Sequence, residues 1–116
     1  MSAWAHIYKR EFITRNNLSF VSERQIGSED YLFNLHAFLA ANSLMAIENA
    51  LYNYDYREGS LSQKYRENLI EKYRQLYIAM QKLVIQYRVY DHYFKMLQYF
   101  YVWNCYLFYK CVPTPT

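Results

Sequence analysis

The residues best suited to chemistry lie close together in the segment RVYDHYFK, at positions 88–95. Arg88 and His92 are four positions apart, so on a helix they share a face. A histidine placed there could act as a general acid or base, and an arginine could bind phosphate, as in a metal-independent ribonuclease. The interpretation we favour is a solvated face on which Asp91 pairs with Arg88 and Lys95.

The Arg88 and His92 pair is loosely similar to the arginine and histidine of the HEPN-type helical ribonucleases. That resemblance implies an RNA-cleaving enzyme with these two residues in the catalytic roles. The segment departs from the family pattern, because only three residues separate the pair and the residue after Arg88 is Val89, which is not polar. A ribonuclease is therefore the alternative, and we do not assign the family.

Other catalytic and cofactor sites lack the residues that they need. No Glu is followed three positions later by His, as di-iron helical bundles require, and no HExxH or CxxC motif occurs. Phosphate-binding loops need closely spaced glycines, but Gly27 and Gly59 are the only two here. His36 lies in an apolar stretch and is expected to be a core residue. We predict no metal, no cofactor and no enzymatic activity.

Two glycines and two prolines divide the 116-residue chain into three blocks of a single all-α domain. Apolar residues at helical spacing predict a short N-terminal helix at about 3–16. A hairpin turning at Asn16 and Asn17 is the alternative. Ser28, followed by two acidic residues, is typical of a helix start, and the apolar residues after it predict a central, largely buried helix at about 29–54.

The third block has the clearest pattern in the chain, with apolar residues at alternating steps of four and three. The phase is unbroken and no turn residue interrupts it, which predicts one long helix at about 61–109, followed by a tail at 111–116. Such a helix is roughly 70 Å long, more than the central helix could cover, so we expect a homodimer. The alternative is a monomeric four-helix bundle with a break near 89–92. We call the residues of this pattern the heptad positions: Leu69, Tyr73, Leu76, Met80, Leu83, Tyr87, Tyr90, Phe94, Leu97 and Tyr101.

The run YFKMLQYFYVWNCYLFYK, at 93–110, is unusually aromatic. Its uncharged part has fourteen residues, fewer than the roughly twenty that a membrane span needs. That part contains no Lys or Arg, which argues against a groove where bases stack. Tyr and Trp are enriched at protein interfaces, so we predict an interface. The predicted residues are Tyr87, Tyr90, Phe94, Leu97, Tyr99, Tyr101, Trp103 and Tyr106.

The formal net charge is +3, and the basic excess lies in the second half of the chain. This is less basic than a dedicated nucleic-acid module. A helical nucleic-acid-binding protein is nevertheless the alternative partner class, with Lys64, Lys72, Arg74, Lys82 and Arg88 as its contacts. Cys105 and Cys111 are six positions apart, on different faces of a helix, so we expect reduced thiols. Charged residues near the N-terminus argue against a signal peptide, and we expect a cytoplasmic location.

These observations favour a non-enzymatic helical bundle of three or four helices, with a long C-terminal helix, in a homodimer. We expect a small adaptor, inhibitor or chaperone, of the kind that phages, viruses and mobile elements encode. It would bind its own copy and then a target protein through a Tyr-rich helical surface.

Overall fold

The computed structural model of the chain describes residues 2–58 and 68–111. Within these two ranges all regular structure is helical, which confirms the all-α prediction and leaves no hairpin at Asn16 and Asn17. Our predictions for 59–67 and for 112–116, which include Lys64, lie outside the described residues. The elements are a 3-10 turn at Ala3–Ala5 and the helices α1 (Arg10–Arg15), α2 (Glu29–Ala40), α3 (Leu69–Gln86) and α4 (Tyr90–Cys111).

Helices α3 and α4 form an antiparallel hairpin. The rings of Tyr77 and Tyr101 stack with their centroids 5.0 Å apart. In one continuous helix these two residues would lie roughly 36 Å apart. The prediction of a single long helix is therefore wrong over the described residues. The helix is broken at 87–89, next to the break near 89–92 that the alternative placed there.

The turn of the hairpin is built on Arg88, whose φ is 59°. The Val89 N–H donates to the Val84 carbonyl at 2.9 Å, and the Arg88 N–H donates to the Ile85 carbonyl at 3.0 Å. These two bonds form a Schellman motif, in which the left-handed residue is usually glycine. Because arginine occupies that position, the sequence carries no turn signal there.

The main core lies between α2, α3 and α4. Its buried residues include Leu76, Met80 and Val84 from α3 and Leu97 from α4, with Ile26 from the segment before α2. The heptad positions of α3 and α4 thus face each other inside one chain. A smaller cluster of Leu18, Phe33 and Ala37 joins α2 to the N-terminal segment.

The start of α2 is fixed from both sides. A β-carbon on Gly27 would lie 3.3 Å from side-chain atoms of Leu69, Lys72 and Tyr73, so the absence of a side chain lets this segment approach α3 closely. Asp30, in the first turn, accepts a 2.9 Å hydrogen bond from the Ala3 N–H through Oδ2. These contacts tie the N-terminal turn and α2 to the hairpin.

Two predicted helices are shorter than expected. The central helix ends at Ala40 instead of near 54, and the N-terminal helix is reduced to the turn at Ala3–Ala5 and to α1. Residues 42–58, which we call the 42–58 segment, have no helical structure and are exposed. No described helix covers the apolar side chains of the segment. A helix formed by the segment alone would be marginal in water, because it would lack this packing.

Replacing Arg88 with glycine should raise the free energy of unfolding by up to about 1 kcal/mol, because glycine adopts the left-handed conformation without steric cost. Chemical denaturation followed by circular dichroism measures the change. Lys82→Gly, at an exposed position inside α3, is the matched control and should lower the same quantity by about 1 kcal/mol. If Arg88→Gly destabilised the chain as much as Lys82→Gly does, the left-handed turn would be refuted.

Candidate interaction surface

Arg88 and His92 do not form the helical pair that the ribonuclease alternative requires. Arg88 lies in the left-handed turn and His92 in the first turn of α4, and both side chains are exposed. The His92 ring meets the neighbouring Tyr93 ring edge-on, with centroids 4.9 Å apart. Since Arg88 is outside the helix, the shared face expected from a spacing of four is not formed.

Neither a metal centre nor a membrane-spanning helix occurs in the part of the chain that the structure describes. No group of three or more His, Cys, Asp or Glu residues in 2–58 and 68–111 could hold a metal ion. No helix in these ranges is both long enough and apolar enough to cross a membrane. His6 and His36 instead meet aromatic rings edge-on, those of Phe38 at 5.6 Å and Tyr87 at 5.9 Å.

Of the basic residues proposed for nucleic-acid contacts, the four that the structure describes do not all lie on one face. Lys72 and Arg74 are two positions apart on α3 and so point in different directions. The Arg74 guanidinium pairs with the Glu71 carboxylate at 3.1 Å. A 2.7 Å hydrogen bond from Gln75 and the charge of Arg74 hold the pKa of Glu71 below its ordinary value. Lys82 is exposed farther along the same helix.

Five of the eight predicted interface residues lie partly or wholly inside one chain. Leu97 has no exposed surface, so its assignment as a contact for a second chain is corrected to a core residue. The reason is that α4 folds back onto α3, and each helix covers the heptad positions of the other. The remaining four are half-buried: Tyr87, Tyr90, Phe94 and Tyr101. Of these, Tyr101 stacks on Tyr77 and Tyr87 contacts His36.

The other three predicted interface residues are exposed on α4. Tyr99, Trp103 and Tyr106 are 71%, 47% and 45% exposed, and Met96 is 48% exposed. These four residues follow steps of three, four and three, which place them on one face of the helix. We call them the aromatic stripe.

The rings of the aromatic stripe contact one another along the helix. Tyr99 and Trp103 stack at 6.4 Å with an angle of 9° between their planes, and Trp103 meets Tyr106 at 5.7 Å. The Lys110 Nζ lies 5.2 Å from the centre of the Tyr106 ring, within reach of a cation–π interaction. The stripe is therefore a continuous apolar surface with a cation at one end.

The contacts of the rest of α4 explain why this surface is left uncovered. Leu97, on the side of the helix turned away from Tyr106, packs into the core formed with α3. Phe100, beside the stripe, contacts Tyr31 of α2 at 4.9 Å. A helix that is apolar on all sides is normally covered on all sides. Here α2 and α3 cover one face, while the stripe on the other face is exposed. Large exposed apolar patches are typical of binding sites.

The 42–58 segment is the second exposed apolar surface. Leu44, Ile47 and Leu51 are 75%, 52% and 68% exposed. The segment contacts the N-terminal turn, where the Trp4 ring stacks with Tyr52 at 4.9 Å and with Tyr54 at 5.4 Å. Sequence reasoning missed this surface because it placed most of these residues in a buried helix.

No protein-family model matches the chain, and no curated protein or solved structure matches it either. The features of this chain that bear on its function are therefore its two exposed apolar surfaces, the aromatic stripe and the 42–58 segment.

His36 should make stability depend on pH. Burial lowers the pKa of this imidazole below its ordinary value of 6.5, because the charged form loses hydration. The unfolded chain therefore takes up this proton at a higher pH than the folded chain does. The stabilisation is complete above pH 6.5 and is lost as the pH falls through the lower pKa of the folded state.

We expect the free energy of unfolding to fall as the pH drops below 6.5, the ordinary pKa at which the unfolded chain takes up the proton. His36→Gln should reduce that fall, and denaturation curves at several pH values measure it. His92→Gln, at the exposed histidine of α4, is the control and should leave the slope near that of the parent chain. An unchanged slope in His36→Gln would refute the assignment.

Proposed function

We propose that this chain is a non-enzymatic protein-binding protein that acts through the aromatic stripe of α4, and that its first partner is a second copy of itself. The observation that carries the proposal is the exposure of Tyr99, Trp103 and Tyr106 on a helix whose other face belongs to the core. A small helical adaptor, inhibitor or chaperone is the class of protein that fits this arrangement.

The chemistry of the stripe suits protein binding. Tyr and Trp contribute large apolar areas and also carry a hydrogen-bonding group, which is why they dominate the energetics of interfaces. The ring contacts between Tyr99, Trp103 and Tyr106 order these side chains before a partner arrives. Ordered side chains lose less conformational entropy on binding.

A second copy is the first partner that we expect, because most oligomers are homo-oligomers and two-fold dimers are the commonest of them. Each copy brings the same uncovered apolar surfaces. Aromatic residues supply the buried centre of many interfaces, and few charges have to be desolvated along this stripe. A target protein would bind the same face, or a face that the dimer creates.

Trp103→Asp should abolish self-association and leave the fold intact, because Trp103 is 47% exposed within one chain. We expect light scattering to show twice the mass of one chain for the parent and a single chain for the variant. Loss of a central Trp weakens binding by about 2 kcal/mol or more, which is at least thirtyfold.

Two further variants separate loss of binding from loss of fold. Gln98→Asp changes an exposed residue of α4 outside the stripe and should stay dimeric. Leu97→Asp places a charge at a fully buried position and should unfold the chain at every concentration. A parent chain that stays monomeric up to about millimolar concentration, or a dimeric Trp103→Asp variant, would contradict the proposal.

A further inference from the structure

The 42–58 segment repeats the spacing of the aromatic stripe. Leu44, Ile47, Leu51 and Tyr54 follow steps of three, four and three, as Met96, Tyr99, Trp103 and Tyr106 do on α4. On a helix these four residues of the segment would share one face. No glycine or proline occurs between Gly27 and Gly59, so nothing in the covalent chain prevents a helix there.

The segment lacks a helix because it lacks a surface to pack against. Six of the eight residues from 44 to 51 are Ala, Leu, Met or Glu, which are strong helix formers. Isolated helices of about a dozen residues are nevertheless marginal in water. The apolar face would have to be buried to stabilise the helix, whereas Leu44 and Leu51 are 75% and 68% exposed.

We propose that residues 44–54 of one copy fold into a helix on the aromatic stripe of a second copy, and that the second copy does the same in return. This inference rests on the proposed self-association and names the surface that covers the stripe. Each interface would join four apolar residues of the segment to the four residues of the stripe, in the helix-against-helix packing that the matching spacing allows.

The charges of the two surfaces are complementary. The 42–58 segment carries Glu48, Asp55 and Glu58 against a single Arg57, a net of −2. The exposed face of α4 carries Lys95 and Lys110 against Asp91, a net of +1 with His92 neutral. Opposite charges of this kind guide the encounter of two surfaces, and the net charge of +1 on each exposed α4 face disfavours pairing of two such faces.

Within one chain the segment does not cover the stripe, and its contacts show where it is held instead. Trp4 stacks with Tyr52 and Tyr54. The turn that carries Trp4 is bound to α2 through the 2.9 Å bond between the Ala3 N–H and Asp30. A second copy is therefore the source of the covering segment, and docking would move Tyr54 from Trp4 to the stripe. Reciprocal exchange of this kind produces a closed two-fold dimer.

The test compares helix content and mass as the concentration of the full chain increases. We expect helix content to rise together with dimer formation, because residues 44–54 fold only on the partner. Leu51→Asp should weaken association at least about thirtyfold and remove the helix gain. It should leave the stability of the monomer unchanged, since Leu51 is 68% exposed.

Asn49→Asp is the matched control for Leu51→Asp. It adds the same charge to an exposed residue of the segment, on the face opposite Leu44 and Leu51 in a helix. We expect this variant to dimerise as the parent does. If Asn49→Asp and Leu51→Asp weakened the dimer equally, added charge alone would explain the effect and the inference would be overturned.

Mixing Leu51→Asp with Trp103→Asp gives the sharpest test. A mixed dimer retains one intact pair of surfaces, the segment of the Trp103→Asp chain on the stripe of the Leu51→Asp chain. We therefore expect the mixture to associate more weakly than the parent but more strongly than either variant alone.

Two results would overturn the inference and leave the proposed function standing. One is a Leu51→Asp variant that dimerises like the parent, which would indicate that two stripes contact each other directly. The other is a mixture of the two variants that stays monomeric. A parent chain that is monomeric at every concentration would overturn both the inference and the proposed function. This holds even if residues 44–54 of the monomer prove to be helical.

Discussion

The burial of Leu97 between the two helices of the hairpin is the contact on which the rest of the fold depends. Leu76, Val84 and Leu97 have no exposed surface, and they come from helices that meet only because the chain reverses at Arg88. Burying one such side chain contributes about 1.5–3 kcal/mol. A left-handed arginine costs roughly 1–2 kcal/mol. A few buried residues therefore outweigh the strain of the turn, and α2 then packs on the hairpin through Tyr31 and Phe100.

This hairpin also determines which apolar surfaces are left exposed. Residues nine positions apart on a helix point in opposite directions, so Tyr106 faces away from the core that Leu97 enters. Helix α4 is apolar on both sides, and α2 and α3 can cover only one of them. The aromatic stripe is thus a consequence of how the core is built, and its exposure follows from the same contact that stabilises the chain.

The sequence pattern predicted the helical class and the buried face of α3, because periodicity reports which residues share a face. It could not report what covers that face. The spacing of the heptad positions is the same whether a second chain or the returning half of the same chain covers them. What separates these two folds is the left-handed conformation of Arg88, which tertiary packing imposes. Likewise, the spacing of Arg88 and His92 indicated a shared face only on the assumption of a continuous helix.

Helix α2 ends at Ala40 because the residues after it have no surface to pack against, and helix propensity alone does not stabilise a short helix. In the proposed dimer, the segment that was predicted to extend this helix to about residue 54 would cover the exposed aromatic stripe of a second copy. Closing that contact between copies would order residues 44–54, which lose conformational freedom when they fold. Burial of Trp103, Tyr106 and Leu51 must first offset this cost. The two copies would then bind each other less tightly than the buried area suggests, and we expect the dimer to dissociate on dilution.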